Sequence, residues 1–315
     1  MDTRQAKALD KFYTDPVEAL QALHTLAYAC AQMGLDPARL AAVEPSAGAG
    51  AFLVPSPPFG EGLHAFDIAP EHPSVAQADF LALDTLAALR RAKDRTVFVG
   101  NPPFGKRGRL AVAFLNKALA EGAVVGFVLP ILFRKWITQR TVRADAHLLA
   151  DIDIPPTAFT LNGAPALVRC CFQIWTTRDP ALAGWQDLRL RDAPPRHHPD
   201  FDLWQYNATP VAAKYFAYPW DFAVLRQGYG DYTTLHTDPT ALSRKKQWMF
   251  VKAHSPEALA RLRAIDFEAL AATNTSTKGF GKTELVQRYT ALYGDGHKPS
   301  QSEAIRRGNL SPATG

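Results

Sequence analysis

Apolar positions fall in blocks of two kinds along this chain. Residues 17–33 place Val17, Leu20, Leu23, Leu26 and Ala27 at helical spacing, with Thr14 as a cap and Asp15 and Pro16 suited to the first turn. Short, mostly apolar runs follow at 40–43, 63–66, 75–78, 96–99 and 124–130, with His64, Gln77 and Thr96 as polar members. Such runs predict strands buried on both faces, as in a parallel sheet. Helical patterns at 84–91 and 110–119 lie between them, and Phe133, Arg134, Lys135, Trp136, Arg140 and Arg143 predict a basic helix. Two further strands are expected at 148–154 and 167–175. Strands and helices in alternation specify an α/β domain.

The character changes after Thr177. Arg178, Asp179 and Pro180, then Pro194, Pro195, His197, His198 and Pro199, are turn-rich and polar, so a first domain is expected over 1–178. Residues 179–293 carry aromatic and basic clusters and helical patterns at 257–262 and 283–292, which predict a smaller α+β region. The tail 294–315 has no apolar periodicity and is expected to be disordered.

The chemistry sits where the strands end. The run 40–43 leads into Glu44, Pro45, Ser46, Ala47, Gly48, Ala49 and Gly50, a strand, an acid, a glycine-rich turn and an expected helix start. That describes a nucleotide-type crevice at the carboxyl ends of a sheet. A third glycine at the dinucleotide spacing is missing, and so is the Lys-Ser/Thr of a triphosphate loop. Glu44 would repel a pyrophosphate and suits a ligand bearing positive charge. The next strands end in Asp67, placed to accept from ribose hydroxyls, and in Asp79-Phe80, an acceptor beside an aromatic plate. The run 96–99 stops on Gly100, Asn101, Pro102, Pro103 and Phe104. Two prolines forbid helix and hold an extended rim. Asn101 Oδ1 and the Pro102 carbonyl can each accept one hydrogen bond from an exocyclic NH2, and Phe104 can stack on a ring. A turn with a capping Asn is the competing reading.

In this order the motifs resemble those of S-adenosylmethionine-dependent amino-methyltransferases, most closely the DNA N6-adenine methyltransferases with an N-terminal cofactor motif. The resemblance covers roughly the first half of the chain. Lys11, Phe12, Tyr13 and Thr14 resemble the N-terminal motif, and Glu44 to Gly50 the glycine-rich one. Phe66-Asp67-Ile68 and Ala78-Asp79-Phe80 resemble the ribose and adenine motifs, and Asn101-Pro102-Pro103-Phe104 the catalytic one. It implies a Rossmann-like methyltransferase domain with a C-terminal target-recognition region. It also implies S-adenosylmethionine held by Phe12, Tyr13, Thr14, Glu44, Ser46, Gly48, Gly50, Asp67, Ile68, Asp79, Phe80 and Asn101. The implied reaction is methyl transfer to N6 of adenine in DNA after base flipping, with the extruded base stacked on Phe104 and on a late-strand aromatic. For the latter Trp175 is favoured, with Phe172 and Phe159 as alternatives. RNA adenine methyltransferases and protein glutamine methyltransferases share the catalytic turn. An inactive nucleic-acid-binding module is the reading from another class.

Composition bounds the rest. With 47% hydrophobic and 21% charged residues, 315 residues make an ordinary soluble chain. No apolar run reaches about 18 residues, so no membrane span is expected, and residues 1–5 lack a signal-peptide pattern, which places the protein in the cytoplasm. Three cysteines make no disulfide framework, and the scattered histidines suggest no metal site. A net charge of +5 favours an anionic partner. Lys106, Arg107 and Arg109 beside the catalytic turn, and Arg244, Lys245 and Lys246 in the second region, are candidates for DNA phosphate contacts. The chain is expected to act as a monomer, and any restriction endonuclease partner would be a separate chain.

Overall fold

The computed structural model describes residues 12–161, 163–272 and 277–295. The tail beyond 295, expected to be disordered, and Lys11 of the N-terminal motif lie outside the described residues. The chain divides into two compact units, Met1–Ala193 and Pro194–Gly315.

In chain order the first unit contains β1 (Tyr13–Thr14), α1 (Pro16–Gln32), β2 (Ala41–Glu44), β3 (Leu63–Asp67), β4 (Ala76–Gln77), α2 (Thr85–Leu89) and β5 (Thr96–Gly100). Then follow α3 (Arg109–Glu121), β6 (Val124–Pro130), α4 (Trp136–Gln139), β7 (His147–Asp153), β8 (Phe159–Leu161), β9 (Ala164–Pro165) and β10 (Cys170–Thr176). Seven strands form one sheet in the order β4-β3-β2-β5-β6-β10-β7. The first five run parallel, with Ala41 opposite Thr96 and Val97 opposite Val124. β10 lies antiparallel between β6 and β7. α1 buries Leu23, Leu26 and Cys30 in one core, and α3 buries Phe114, Leu115 and Leu119 in another. The apolar runs predicted this, since β2, β5 and β6 are buried at every position.

Several expectations are corrected. No helix follows the glycine-rich turn: residues 51–62 form turns, because Pro55, Pro57 and Pro58 remove the amide donors a helix needs. Asp15, not Thr14, caps α1, accepting from Val17 N–H at 2.8 Å. The basic helix is a 3-10 turn at Ile131–Arg134 followed by the single-turn α4. Its cations are committed, Arg134 to Asp151 and Asp153 and Arg143 to Asp145. The strand expected at 167–175 begins at Cys170.

Residues 178–193 belong to the first unit and are tied into it through Arg189. This buried guanidinium donates to the carbonyls of Arg143, Ala144 and Ala146 through Nη1 and of Gln139 and Val142 through Nη2, at 2.7 to 3.4 Å. It has no carboxylate partner among the described residues, and burial lowers its proton affinity. Arg189→Ala should orphan several buried carbonyls and cost about 3 kcal/mol or more, measured by denaturant unfolding. Exposed Arg178→Ala should cost almost nothing.

The second unit is an antiparallel sheet in the order β11-β13-β12, from β11 (Phe201–Tyr206), β12 (Phe222–Gln227) and β13 (Gln247–Ala253). Among the described residues three α-helices accompany it: α5 (Pro256–Arg263), α6 (Phe267–Ala271) and α7 (Lys282–Tyr293). Most of its aromatics form its core: Phe222 meets Phe267, Phe201 meets Tyr289, and Phe250 meets Phe216 and Trp220.

Candidate functional site: a carboxylate-lined cleft beside an oriented amide

The chain leaves β2 toward β3 and β4 on one side and returns through β5 and β6 on the other. The crevice between β2 and β5 is therefore a topological switch point, where open α/β sheets bind ligands. A cleft of about 390 Å³ opens there. Glu44 ends β2, Asp67 ends β3, and Asn101 follows β5, and all three line it. Phe12, Tyr13, Thr14, Ser46, Gly48, Ile68, Asp79 and Phe80 also line it, so most of the residues that the sequence assigned to a cofactor converge. Gly50 does not: at φ +84° its missing Cβ avoids Leu53, and it shapes the turn.

Asn101 is held from one side. Its Nδ2 donates to the Phe12 carbonyl at 3.0 Å and to Thr14 Oγ1 at 3.1 Å. A carbonyl can only accept, so this pairing fixes which amide atom is nitrogen and turns Oδ1 the other way. Ser46 Oγ donates to the Asn101 carbonyl at 3.2 Å. Phe104 O accepts from Leu110 and Ala111 N–H, tying the turn to the start of α3. None of the described residues donates to Asn101 Oδ1 or to the Pro102 carbonyl. Asn101 lines the cleft and its Oδ1 is left for a ligand NH2, whereas Pro102 is buried and is not among the lining residues.

Sequence reasoning placed Thr14 on the cofactor and missed this contact, which spans 87 residues. Thr14 is therefore also a positioning residue for Asn101. Thr14→Val should lower the single-turnover transfer rate about tenfold with cofactor affinity nearly unchanged, and Thr14→Ser should restore it.

Glu44 is 2% exposed, and its Oε2 has no hydrogen-bond partner. Burial first, and Asp67 second, push its carboxyl up to about 8. Gly100 lets β5 end against it, since a Cβ there would meet Glu44 Cγ at 3.1 Å. Asp67 accepts from Gly48 N–H and Ala69 N–H, both at 2.8 Å, which locks the glycine turn to the tip of β3. Tyr13 Oη donates to Glu71 at 2.7 Å, and burial together with that carboxylate raises its phenol. Asp79 is exposed and accepts from Leu81 N–H.

The expected stacking partners are corrected. Trp175 is wholly buried, bonded through Nε1 to Gln173, and does not line the cleft. Phe172 and Phe159 are core as well. Every residue of β10 is buried between β6 and β7, so no ring on it reaches the crevice. Phe104 is 9% exposed and lies against Phe12, with ring centres 6.2 Å apart and planes at 20°. The partly exposed ring of that pair is Phe12, which lines the cleft. Lys106, Arg107 and Arg109 are exposed just beyond the turn, and Arg244, Lys245 and Lys246 are exposed before β13. Among the described residues no three His, Cys, Asp or Glu are grouped to hold a metal ion, and no helix is long and apolar enough to cross a membrane.

The cleft lining includes three carboxylates, Glu44, Asp67 and Asp79, and no lysine, arginine or histidine among the described residues. No helix N-terminus follows the glycine turn either. A lining with three carboxylates favours a cationic ligand over a phosphate-bearing one.

A mixed, mostly parallel seven-stranded sheet flanked by helices defines an α/β fold. No family model matches the chain, and no curated protein matches it. Among solved structures it is similar to protein 1320 of Thermoplasma acidophilum, at 16% identity and TM-score 0.33, over 56% of this chain and 100% of that one. A candidate RNA methyltransferase, PH1948 of Pyrococcus horikoshii, matches at 15% identity and TM-score 0.28, over 49% of this chain and 82% of that one. The Type IIL restriction-modification enzyme MmeI, solved with DNA, matches at 11% identity and TM-score 0.40, over 97% of this chain but 57% of its own.

Proposed function

We propose that the protein is an S-adenosylmethionine-dependent methyltransferase acting on N6 of adenine in DNA. The observation that carries this reading is the Asn101 amide, clamped through its nitrogen by Phe12 and Thr14 so that Oδ1 is left for a ligand in the cleft that Asn101 lines.

The cleft suits the cofactor on chemical grounds. S-adenosylmethionine is a cationic aminonucleoside, and the lining offers three carboxylates with one buried oxygen unpartnered. Glu44 would take the amino-acid end, Asp67 the ribose, and Asp79, Ile68 and Phe80 the adenine. When bound it supplies an electrophilic methyl group.

This chain's own work is done on the target amine. The adenine amino lone pair is delocalised into its ring. Asn101 Oδ1 and the Pro102 carbonyl would hold the two N–H bonds and turn that lone pair toward the methyl. Nitrogen gains positive charge as the N–C bond forms and the methyl–sulfur bond breaks, and the same two acceptors would stabilise it without reorganising. One N6 proton is then lost to solvent, leaving the methylated amine and a neutral thioether. The Phe12 ring offers the extruded base a stacking face, which offsets part of the few kcal/mol needed to unstack it.

Labelled cofactor offered in parallel to duplex DNA, to RNA of the same sequence and to a glutamine-containing peptide tests the reading. Label is expected in DNA, as N6-methyladenine. Label confined to RNA or peptide would overturn the substrate assignment.

A further inference from the structure

At one end of the second unit's sheet, a cation is held with no ion-paired carboxylate among the described residues. Arg226, near the end of β12, is half-buried. Its Nη1 donates to Asn207 Oδ1 at 2.9 Å, to Gln227 Oε1 at 3.4 Å and to Gln247 Oε1. With the Gln205 amide oriented to present its oxygen, that oxygen accepts from Nη2 at 3.1 Å and Nε at 3.0 Å. Carboxamides from all three strands therefore surround one guanidinium, and no acidic side chain among the described residues is ion-paired with it. The carboxylate whose field reaches it, Glu284, is engaged at the start of α7, accepting from Gly281 N–H at 3.0 Å.

A carboxamide oxygen turned toward a guanidinium leaves its NH2 facing away. The collar thus surrounds a positive charge with further N–H donors. Gln227 pairs with Gln247, so the turn leaving β12 and the turn entering β13 emerge at this same end. One carries Tyr229, 88% exposed, and the other Arg244, Lys245 and Lys246, all exposed. Isolated phosphate would need only the cations. Cations for phosphates, an Arg–carboxamide cluster for base edges and an exposed ring together match nucleic acid.

We propose that this end of the β11-β13-β12 sheet is a duplex-DNA contact surface, with Arg226 and its carboxamide collar touching the DNA and Lys245 and Lys246 the flanking phosphates. The choice of DNA rests on the function proposed above; the surface itself rests on the Arg226 cluster.

The test is fluorescence anisotropy of a short mixed-sequence duplex against the full chain across a salt series. Thermal melting and cofactor binding serve as controls for folding. Arg226→Met should weaken binding about tenfold or more, and Lys245→Ala with Lys246→Ala should lower the salt slope by about 2. Should Arg226→Met fail to fold, Arg226→Lys, which keeps the charge and loses the fork, and the exposed lysine pair decide the matter. Folded variants that bind like wild type overturn the proposal, as does wild-type protein that ignores duplex DNA or prefers duplex RNA of the same sequence. If wild type binds with the expected losses in the variants yet methylates nothing, the enzymatic reading fails and this surface stands. If wild type methylates DNA and the variants bind normally, this surface alone fails.

Discussion

Asn101→Ala should cut single-turnover methyl transfer by about a hundredfold or more, the scale of losing one preorganised partner of a developing charge. The side chain is fixed before substrate arrives, since Phe12 O and Thr14 Oγ1 engage its nitrogen. Removing it deletes one of two acceptors and frees the clamp. Cofactor affinity should change little, because Glu44 and Asp67 stand on other strands. Asn101→Asp keeps an acceptor but loses the donor to Phe12 O, so it should fall between alanine and wild type. A turn-capping role predicts the opposite pattern, with lower stability and full activity in whatever folds. Rapid-quench transfer beside a thermal melt separates the two.

Glu44→Gln should abolish most cofactor binding while making the empty protein more stable at alkaline pH. The folded carboxyl holds its proton up to about 8, whereas an ordinary glutamate holds it only to about 4.5. Between those values the folded state binds more protons than the unfolded one, so stability falls as pH rises through that window. Glutamine removes the penalty. The variant should melt above wild type at pH 8 or higher, and the difference should vanish toward pH 4. A cationic ligand requires the ionised form, so binding near pH 7 should release close to one proton from wild type and none from this residue in the variant. Affinity should drop by at least about tenfold, the worth of a charged hydrogen bond. Calorimetry in buffers of different ionisation enthalpy reads both affinity and proton count.

Much of the cleft was legible because apolar runs announce where strands stop. Glu44, Asp67 and Asn101 each follow such a run, and a parallel sheet brings those ends to one edge. What periodicity cannot supply is which neighbour a side chain meets. Trp175 sits in a run buried on both faces, and only the placement of β10 between β6 and β7 shows that its ring faces core. The Thr14–Asn101 contact was invisible because nothing local links a two-residue strand to a turn so far along the chain. The missing helix after Gly50 was readable from Pro55, Pro57 and Pro58, yet the glycine pattern outweighed them. Arg189 was hidden for another reason. Its partners are backbone carbonyls, which leave no side-chain signature, so the first unit continues to Ala193 past the polar stretch at 178.

The measurement closest to the central claim is direct sequencing of DNA from a host without adenine methylation of its own, expressing either wild-type protein or Asn101→Ala. N6-methyladenine should appear at one recurring short sequence with the wild-type protein and be absent or scarce with the variant. Unmodified adenine in DNA from cells holding folded, cofactor-binding wild-type protein, or equal methylation by both proteins, would contradict the account.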